Sequence, residues 1–313
     1  MIFSNSTFSR MFYVGFIGLA ASMGAGAMEP GTNSVYPLGI ADFGPANLPP
    51  PGLYDLITES HVHLNGLMNN AGQPNPLIKN FSTNVDVVAN RLIWVPDVSV
   101  LGGTVVSTMM IPFVYSRPSY TVGQKNVSGS KASLGDIAVN TGLGYNLGSS
   151  LKTVVGFAVY APTGAYNAAD VANTGANHWA IEPDILLSYR LAKFNADILA
   201  GYIVNSQNRA THYTSGNEAH FDYAAGWNFA GGWTAGVGGF VWRQVTDDSN
   251  SAGTVASNRA ASNAIGPVVK YDSGKGWAVV LKYQQMFAVK NSPKGNVVWL
   301  KVAIPLSQSE RRF

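Results

Sequence analysis

The stretch HWAIEPDILLSYRL, residues 178–191, alternates between large apolar and charged side chains. Successive side chains of a β-strand point to opposite faces, so this alternation separates two faces. The charged face carries Glu182, Asp184 and Arg190. The apolar face carries Trp179, Ile181, Ile185, Leu187, Tyr189 and Leu191. Two carboxylates two residues apart fit either the acid/base pair of an enzyme or the wall of a water-filled interior.

The same period of two dominates the sequence from Leu53 onward and predicts an even number of strands. The twelve predicted strands cover 53–64, 80–95, 99–114, 134–147, 150–163, 178–191, 194–208, 217–229, 232–245, 261–272, 276–289 and 295–306. Long connections alternate with tight ones, which is typical of bacterial outer-membrane barrels. We therefore predict an all-β fold, a transmembrane antiparallel up-and-down β-barrel with long extracellular loops and short periplasmic turns.

Composition favours a membrane barrel over a soluble sandwich. Charged residues make up only 12% of the 313 residues, about half of the ~25% that is usual for soluble domains. Six tryptophans lie near predicted strand ends, as expected for two aromatic girdles at the membrane interfaces: Trp94, Trp179, Trp227, Trp233, Trp242 and Trp277. Arg91 and Arg243 fall on the apolar face by parity, which predicts snorkelling near an interface or a bulge.

The N-terminal region divides into two parts before the barrel. Arg10 precedes an apolar run over 11–21, and Ala25-Gly26-Ala27 follows it, so 1–27 is predicted to be a secretory signal peptide. The run is shorter than the ~20 residues that a spanning helix needs. Residues 28–52 are rich in Pro and Gly and form an irregular leader, which we expect to enter the barrel as a plug. The barrel domain is predicted to cover 53–313.

Some classes of function are disfavoured. The chain has no cysteine, which excludes thiol catalysis and thiolate metal sites. Its net charge of +3 is spread thinly, without a Lys/Arg cluster that would indicate nucleic-acid binding.

Charged and histidine side chains that parity directs inward are candidates to line the lumen. A charge that faces lipid at mid-bilayer costs roughly 2–4 kcal/mol, least for carboxylates, so the interior is their favoured location. The candidates are Glu59, His61, His63, Lys152, Glu182, Asp184, Arg190, Asp197, His220, Asp222, Lys270, Lys282 and Lys301.

Two stretches carry side chains that could instead form a chemical site. Glu59, His61 and His63 share one strand face, and such a set could supply three ligands to Zn²⁺ or another divalent metal. The alternative is that polar residues are simply what a lumen contains, and no cofactor is predicted. A lipid hydrolase has its closest signal in HYTSGN, with His212 and Ser215, but this stretch lies in a predicted loop and a Gly-x-Ser-x-Gly elbow is absent. No catalytic residue is assigned.

Several runs together resemble the putative meta-pathway phenol-degradation family. They are VYAPTGAYN (159–167), VANTGANHWAIEPDILLSY (171–189), SGNEAHFDYAAGW (215–227), QVTDD (244–248), LKYQQMF (281–287) and WLKVAIPL (299–306). The resemblance extends from LPPPGLYDL at 48–56 to the end of the chain. It implies an outer-membrane barrel of bacteria that degrade aromatic or hydrocarbon compounds, with a part in their uptake. It transfers no catalytic or binding residues.

The sequence therefore predicts a non-enzymatic channel or transporter in the outer membrane of a Gram-negative bacterium. Its expected partners are outer-membrane lipid and small hydrophobic or aromatic solutes. Eight strands leave an interior filled by side chains and sixteen leave an open channel, so twelve favour a selective or partly plugged path. A barrel enzyme, such as a lipid hydrolase, and a structural or adhesive barrel are the alternatives.

A folded outer-membrane barrel resists SDS until it is heated. We expect the protein to fractionate with the outer membrane and its unheated sample to migrate differently from its boiled sample. Recovery of the protein in soluble form from the periplasm would contradict the barrel prediction.

Overall fold

The computed structural model describes residues 34–308. The predicted signal peptide, the leader before residue 34 and the last five residues lie outside the described residues. The described chain folds into β-strands and one 3₁₀ helix, Ala230–Gly232. The strands are β1 (Gly52–Leu67), β2 (Ile78–Val95), β3 (Ser99–Val100), β4 (Gly103–Val122), β5 (Lys125–Ser128), β6 (Lys131–Leu134), β7 (Ile137–Asn146), β8 (Leu151–Ala161), β9 (Ala180–Leu191), β10 (Phe194–Asn205), β11 (Glu218–Asn228), β12 (Trp233–Gln244), β13 (Asp248–Asn250), β14 (Gly253–Val255), β15 (Ala261–Asp272), β16 (Ala278–Lys290) and β17 (Pro293–Gln308).

The long strands form a closed antiparallel barrel. Around the barrel the order is β1, β2, β4, β7, β8, β9, β10, β11, β12, β15, β16 and β17, and β17 pairs back onto β1. This order confirms the prediction of a twelve-stranded up-and-down barrel, and each predicted strand overlaps one of the twelve. Closure satisfies the backbone groups of every strand within the sheet, as the hydrocarbon core of a membrane requires.

The two ends of the barrel differ as predicted. Tight turns join β7 to β8, β9 to β10 and β11 to β12 at one end, which we call periplasmic by analogy with known barrels. The longer loops lie at the other, extracellular end, where β5 and β6 extend β4 and a separate β13–β14 hairpin forms. Within residues 34–308, no helix has the length and hydropathy to span a membrane.

Exposed apolar side chains cover most of the outer surface. Examples from different strands are Val155, Phe157, Ile181, Ile198, Val237, Ile265 and Leu281. Exposed tryptophans lie near both ends, with Trp94, Trp227, Trp233 and Trp277 at the periplasmic end and Trp179 at the extracellular end. The prediction that Trp242 belongs to an aromatic girdle is wrong. Trp242 is buried, and its Nε1 donates a hydrogen bond to Glu218 Oε2 over 2.7 Å.

The alternation predicts that Arg91 and Arg243 face outward, and only one of them does. Arg91 faces inward, where its Nη2 lies 3.6 Å from the buried Met110 Sδ, so its outward prediction is wrong. Arg243 faces outward near the extracellular end of β12, and its Nη1 donates to the carbonyl oxygens of Trp242 (2.6 Å) and Ser262 (3.2 Å).

Gly295 lies where β17 meets β1, at the pairing that closes the barrel. A Cβ atom at this position would lie 1.8 Å from the backbone oxygen of His63. We expect Gly295→Ala to lower the free energy of unfolding by about 1–3 kcal/mol, because the backbones would have to separate. Urea titration of the protein refolded into lipid vesicles measures this change.

Val298→Ala, on the exposed face of the same strand, is the matched control and should cost less. Equal stability of Gly295→Ala and the parent protein would contradict the close approach of β1 and β17.

Candidate functional site: the filled lumen

The residues that precede β1 contact inward-facing side chains of the barrel, and Asp222 on β11 is their central anchor. Its Oδ1 accepts a hydrogen bond from the backbone N–H of Gly39 (3.0 Å). Its Oδ2 accepts hydrogen bonds from the Tyr36 hydroxyl (2.7 Å) and the backbone N–H of Ala41 (2.9 Å). Asp222 is fully buried, and three donors compensate part of the cost of burying a carboxylate.

Two buried lysines bind the carbonyl oxygens of the same segment. Lys282 on β16 donates to the carbonyl oxygens of Gly39 and Ala41, the second over 2.8 Å. Lys301 on β17 donates to the carbonyl oxygen of Ile40 and to the Asp42 carboxylate. The barrel thus holds this segment mainly through its backbone, with a carboxylate on the amides and ammonium groups on the carbonyls.

A second polar cluster surrounds Glu182 on β9. Its Oε1 lies 2.7 Å from Nε2 of His220, and its Oε2 accepts a hydrogen bond from the Tyr160 hydroxyl. The His220 ring stacks on Tyr36, with 3.9 Å between ring centroids and 26° between planes. Glu182 is therefore connected to the leader through His220.

A glycine makes room for this cluster. A Cβ atom on Gly201 would lie 2.0 Å from Glu182 Oε1 and 2.6 Å from His220 Nε2. A larger residue on β10 would therefore displace the carboxylate from its partners.

Two buried atoms beside the cluster lack a protein partner within residues 34–308. They are Nδ1 of His220 and Oδ1 of Asp184, whose Oδ2 accepts a hydrogen bond from Asn140. Buried polar groups in native proteins are almost always paired, commonly with ordered water. These two atoms are therefore places where water or a polar group of a solute would be bound.

The structure places the candidate lumen residues in three groups. Buried and inward-facing are Glu182, Asp184, Asp197, His220, Asp222, Lys282 and Lys301. On the inward side but partly or fully exposed near the periplasmic end are Lys152, Arg190 and Lys270. On the outer face are Glu59, His61 and His63.

The inward orientation predicted for Glu59, His61 and His63 is a wrong prediction. Glu59 pairs with Leu300 of β17, and His61 pairs with Val298 of β17. Both partners belong to the exposed outer surface. The polarity of β1 is inverted relative to the other strands: its charged and histidine side chains lie on the outer face. Its inward face carries the uncharged residues Thr58, Ser60, Val62 and Leu64. Within the part of the chain that the structure describes, no group of three His, Cys, Asp or Glu residues is arranged to hold a metal ion.

The inverted polarity has a physical cause inside the barrel. Val62 of β1 and Val87 of β2 pack against a buried cluster to which Tyr36 and Ile40 of the leader belong. The sequence pattern of β1 and β2 alone contains no signal that the interior they face is filled by another part of the chain.

Some lumen residues were absent from the sequence candidates. Glu218 on β11 is fully buried and accepts hydrogen bonds from Asn205 Nδ2 (2.9 Å) and Trp242 Nε1 (2.7 Å). Glu218 has the same parity as His220 and Asp222, so the alternation along β11 does predict its inward orientation.

A cavity of about 510 Å³ lies at the periplasmic end. The leader forms one wall with Ala46, Leu48 and the three prolines of 49–51, and β4, β7, β8 and the turn after β2 form the others. Its polar lining includes Lys152, Asp97, Tyr145 and Asn146. This volume lies within the range of small-molecule sites.

A buried carboxylate connects the extracellular loops through hydrogen bonds. Asp248 accepts hydrogen bonds from the backbone N–H of Gly216 (2.7 Å) and from the side chains of Tyr213 and Gln244 (2.5 Å each). Burial raises the pKa of Asp248, and the hydrogen bonds oppose this only in part.

In the neighbouring loop Ser215 is buried and His212 is exposed, and within 34–308 no hydrogen bond joins their side chains.

A closed barrel with an apolar outer surface and a polar, filled lumen defines an outer-membrane β-barrel protein. The chain belongs to the family described as "Putative MetA-pathway of phenol degradation", whose model matches residues 67–302. This match confirms the resemblance found in the sequence. A comparison with curated protein sequences found no match.

A solved outer-membrane structure shares this fold. The chain is similar to an outer membrane channel from Pseudomonas putida F1, with 17% identity and a TM-score of 0.71 over 82% of this chain and 96% of that chain. More distant similarity is found to the CymD monoaromatic hydrocarbon channel, with 9% identity and a TM-score of 0.46 over 91% and 98% of the two chains. The β domain of the Bordetella autotransporter BrkA has 12% identity and a TM-score of 0.45 over 82% and 100%.

Removal of the Glu182 carboxylate tests the second polar cluster. Glu182→Ala leaves the Tyr160 hydroxyl and His220 Nε2 without their acceptor, and each buried unsatisfied group costs about 1–3 kcal/mol. We expect the free energy of unfolding in lipid vesicles to fall by at least that amount.

The exposed Asp97 of the turn after β2 supplies the matched control. Asp97→Ala should change stability by less than about 0.5 kcal/mol. A Glu182→Ala variant as stable as this control would refute the structural role of the cluster.

Proposed function

We propose that this chain is an outer-membrane channel that admits small hydrophobic or aromatic molecules, and that its leader acts as a plug. The observation that carries the proposal is the occupation of the lumen by residues 36–48. These residues are bound by Asp222, Lys282 and Lys301, while a cavity of about 510 Å³ remains on their periplasmic side. Such a path suits selected solutes better than free diffusion of hydrophilic ones.

The chemistry of the lumen supports an aromatic or apolar solute. Apolar side chains inside the barrel, among them Ile40, Met110, Ile203 and Trp299, form a buried cluster beside the polar anchors. Binding sites for small molecules are mostly apolar with a few placed polar groups. A phenol-type molecule matches this combination, because it has an apolar ring and one polar edge. The description of the family, which refers to phenol degradation, is consistent with this substrate class.

The periplasmic cavity is the proposed exit. Leu48, Val95 and the prolines of 49–51 offer apolar surface to the ring, and Lys152 and Tyr145 offer polar contacts to a hydroxyl group. Release into the periplasm then requires displacement of the leader or passage along it.

A reversible cross-link separates these two routes. The backbone N–H of Ala46 donates to Ser188 Oγ over 3.0 Å, so these positions are neighbours, and cysteines at both are the pair to test for a disulfide between leader and barrel. The chain has no cysteine of its own, so no other thiol competes. If leader displacement is required, oxidised Ala46→Cys/Ser188→Cys should take up radiolabelled phenol at least about tenfold more slowly than the reduced form, a difference of ~1.4 kcal/mol.

Each single-cysteine variant is a control and should respond to neither oxidant nor reductant. Deletion of 28–48 should in turn raise ionic conductance in planar bilayers. Unchanged uptake in the locked protein, together with unchanged conductance after the deletion, would contradict the plug. Equal phenol uptake by cells with and without the protein would instead contradict transport and favour a structural or adhesive barrel.

A further inference from the structure

We infer that the outer faces of β1, β2 and β4 form a contact with a second copy of this chain in the membrane. These faces carry a band of polar side chains, which we call the polar stripe. It consists of Asp55, Glu59, His61, His63, Asn84, Asp86, Asn90 and Arg117. It contrasts with the apolar outer faces of β8, β9 and β10, which expose residues such as Phe157, Ile181 and Ile198.

Strand register shows that the stripe extends into the membrane-facing part of the barrel. At the periplasmic end of β2, Trp94 is exposed and pairs with Leu53. Toward the extracellular end, Asp86 pairs with both His61 and the exposed Tyr115. Amphipathic aromatic residues mark the two interfaces of a barrel. The exposed Glu59 and Asn90 lie between these two levels, where lipid would otherwise face them.

The stripe satisfies its own polar groups only in part. Asp86 pairs with His61 and Arg117, each over 2.5 Å, and Asn90 donates to Asp55 Oδ2 over 2.7 Å. Within residues 34–308, the side chain of Glu59 has no hydrogen bond or ion pair, and it is exposed. Hydrocarbon supplies no donor, so this carboxylate is unfavourable against lipid.

The charges of the stripe favour a second copy as its occupant. Glu59 lies on β1 at one edge, and Arg117 lies on β4 at the other edge. A twofold axis along the membrane normal gives an isologous contact, which brings the β1 edge of one copy toward the β4 edge of its partner. The edge that carries the unpaired Glu59 of one copy then faces the edge that carries Arg117 of the other, whose side chain stays 40% exposed beside Asp86.

The charge balance argues against a phosphorylated lipid headgroup as the occupant. Such a headgroup is recognised by an excess of cationic side chains. Here three carboxylates, Asp55, Glu59 and Asp86, accompany one arginine and two histidines.

The lack of native cysteines allows a direct test by cross-linking in intact outer membranes. Asn90→Cys places a thiol in the stripe, four residues from Trp94 on the same strand. Ile198→Cys is the matched control, because it is exposed on the far side of the barrel, four residues from Phe194 on β10. We expect a short bis-maleimide to give a product of twice the chain mass with Asn90→Cys and none with Ile198→Cys. The unheated SDS mobility of each variant verifies that it is folded.

Three cross-linking results would overturn the inference. They are no dimer from folded Asn90→Cys whose thiol reacts with a membrane-permeant label, equal dimer from both variants, and cross-linking of Asn90→Cys to a chain of different mass. Native mass spectrometry of a monomer that retains lipopolysaccharide would also overturn it, in favour of lipid. None of these results bears on transport, which the uptake measurement tests separately.

Discussion

The antiparallel pairing of β17 with β1 is the contact on which the rest of the structure depends. It converts a sheet with two open edges into a barrel without edges, and a membrane excludes unpaired backbone groups from its interior. Twelve strands enclose more space than their own side chains fill. The interior therefore needs further material, and the leader supplies part of it at the centre of the barrel.

The leader is held by contacts that differ from the packing of an ordinary core. Asp222 receives amide hydrogens, and Lys282 and Lys301 donate to carbonyl oxygens, so the backbone from Gly39 to Ala41 has charged partners on both sides. Contacts of this kind are strong when complete and costly when one partner is lost. Loss of one of these charged partners should therefore weaken the attachment of the whole segment.

The sequence predicted the strands well because alternation is a local property of each strand. It also correctly predicted that Glu182 and Asp222 face the interior, because the opposite faces of their strands are apolar. It failed on β1 and β2, where the leader covers the inward face and the polar residues Glu59 and His61 lie outside. Which face of a strand is apolar depends there on a segment distant in sequence, and parity contains no information about it. The partners of each lumen charge, such as Tyr36 for Asp222, likewise follow only from the closed barrel.

The central claim is that an aromatic solute enters the lumen between leader and barrel. The most direct measurement is anomalous diffraction from crystals of the refolded protein soaked in a bromophenol, because the bromine atom locates the solute without ambiguity. The account predicts a bromine site inside the barrel, in the cavity lined by Leu48, Val95 and Tyr145. Bromine sites confined to the outer surface at saturating solute, with an unchanged lumen, would contradict it.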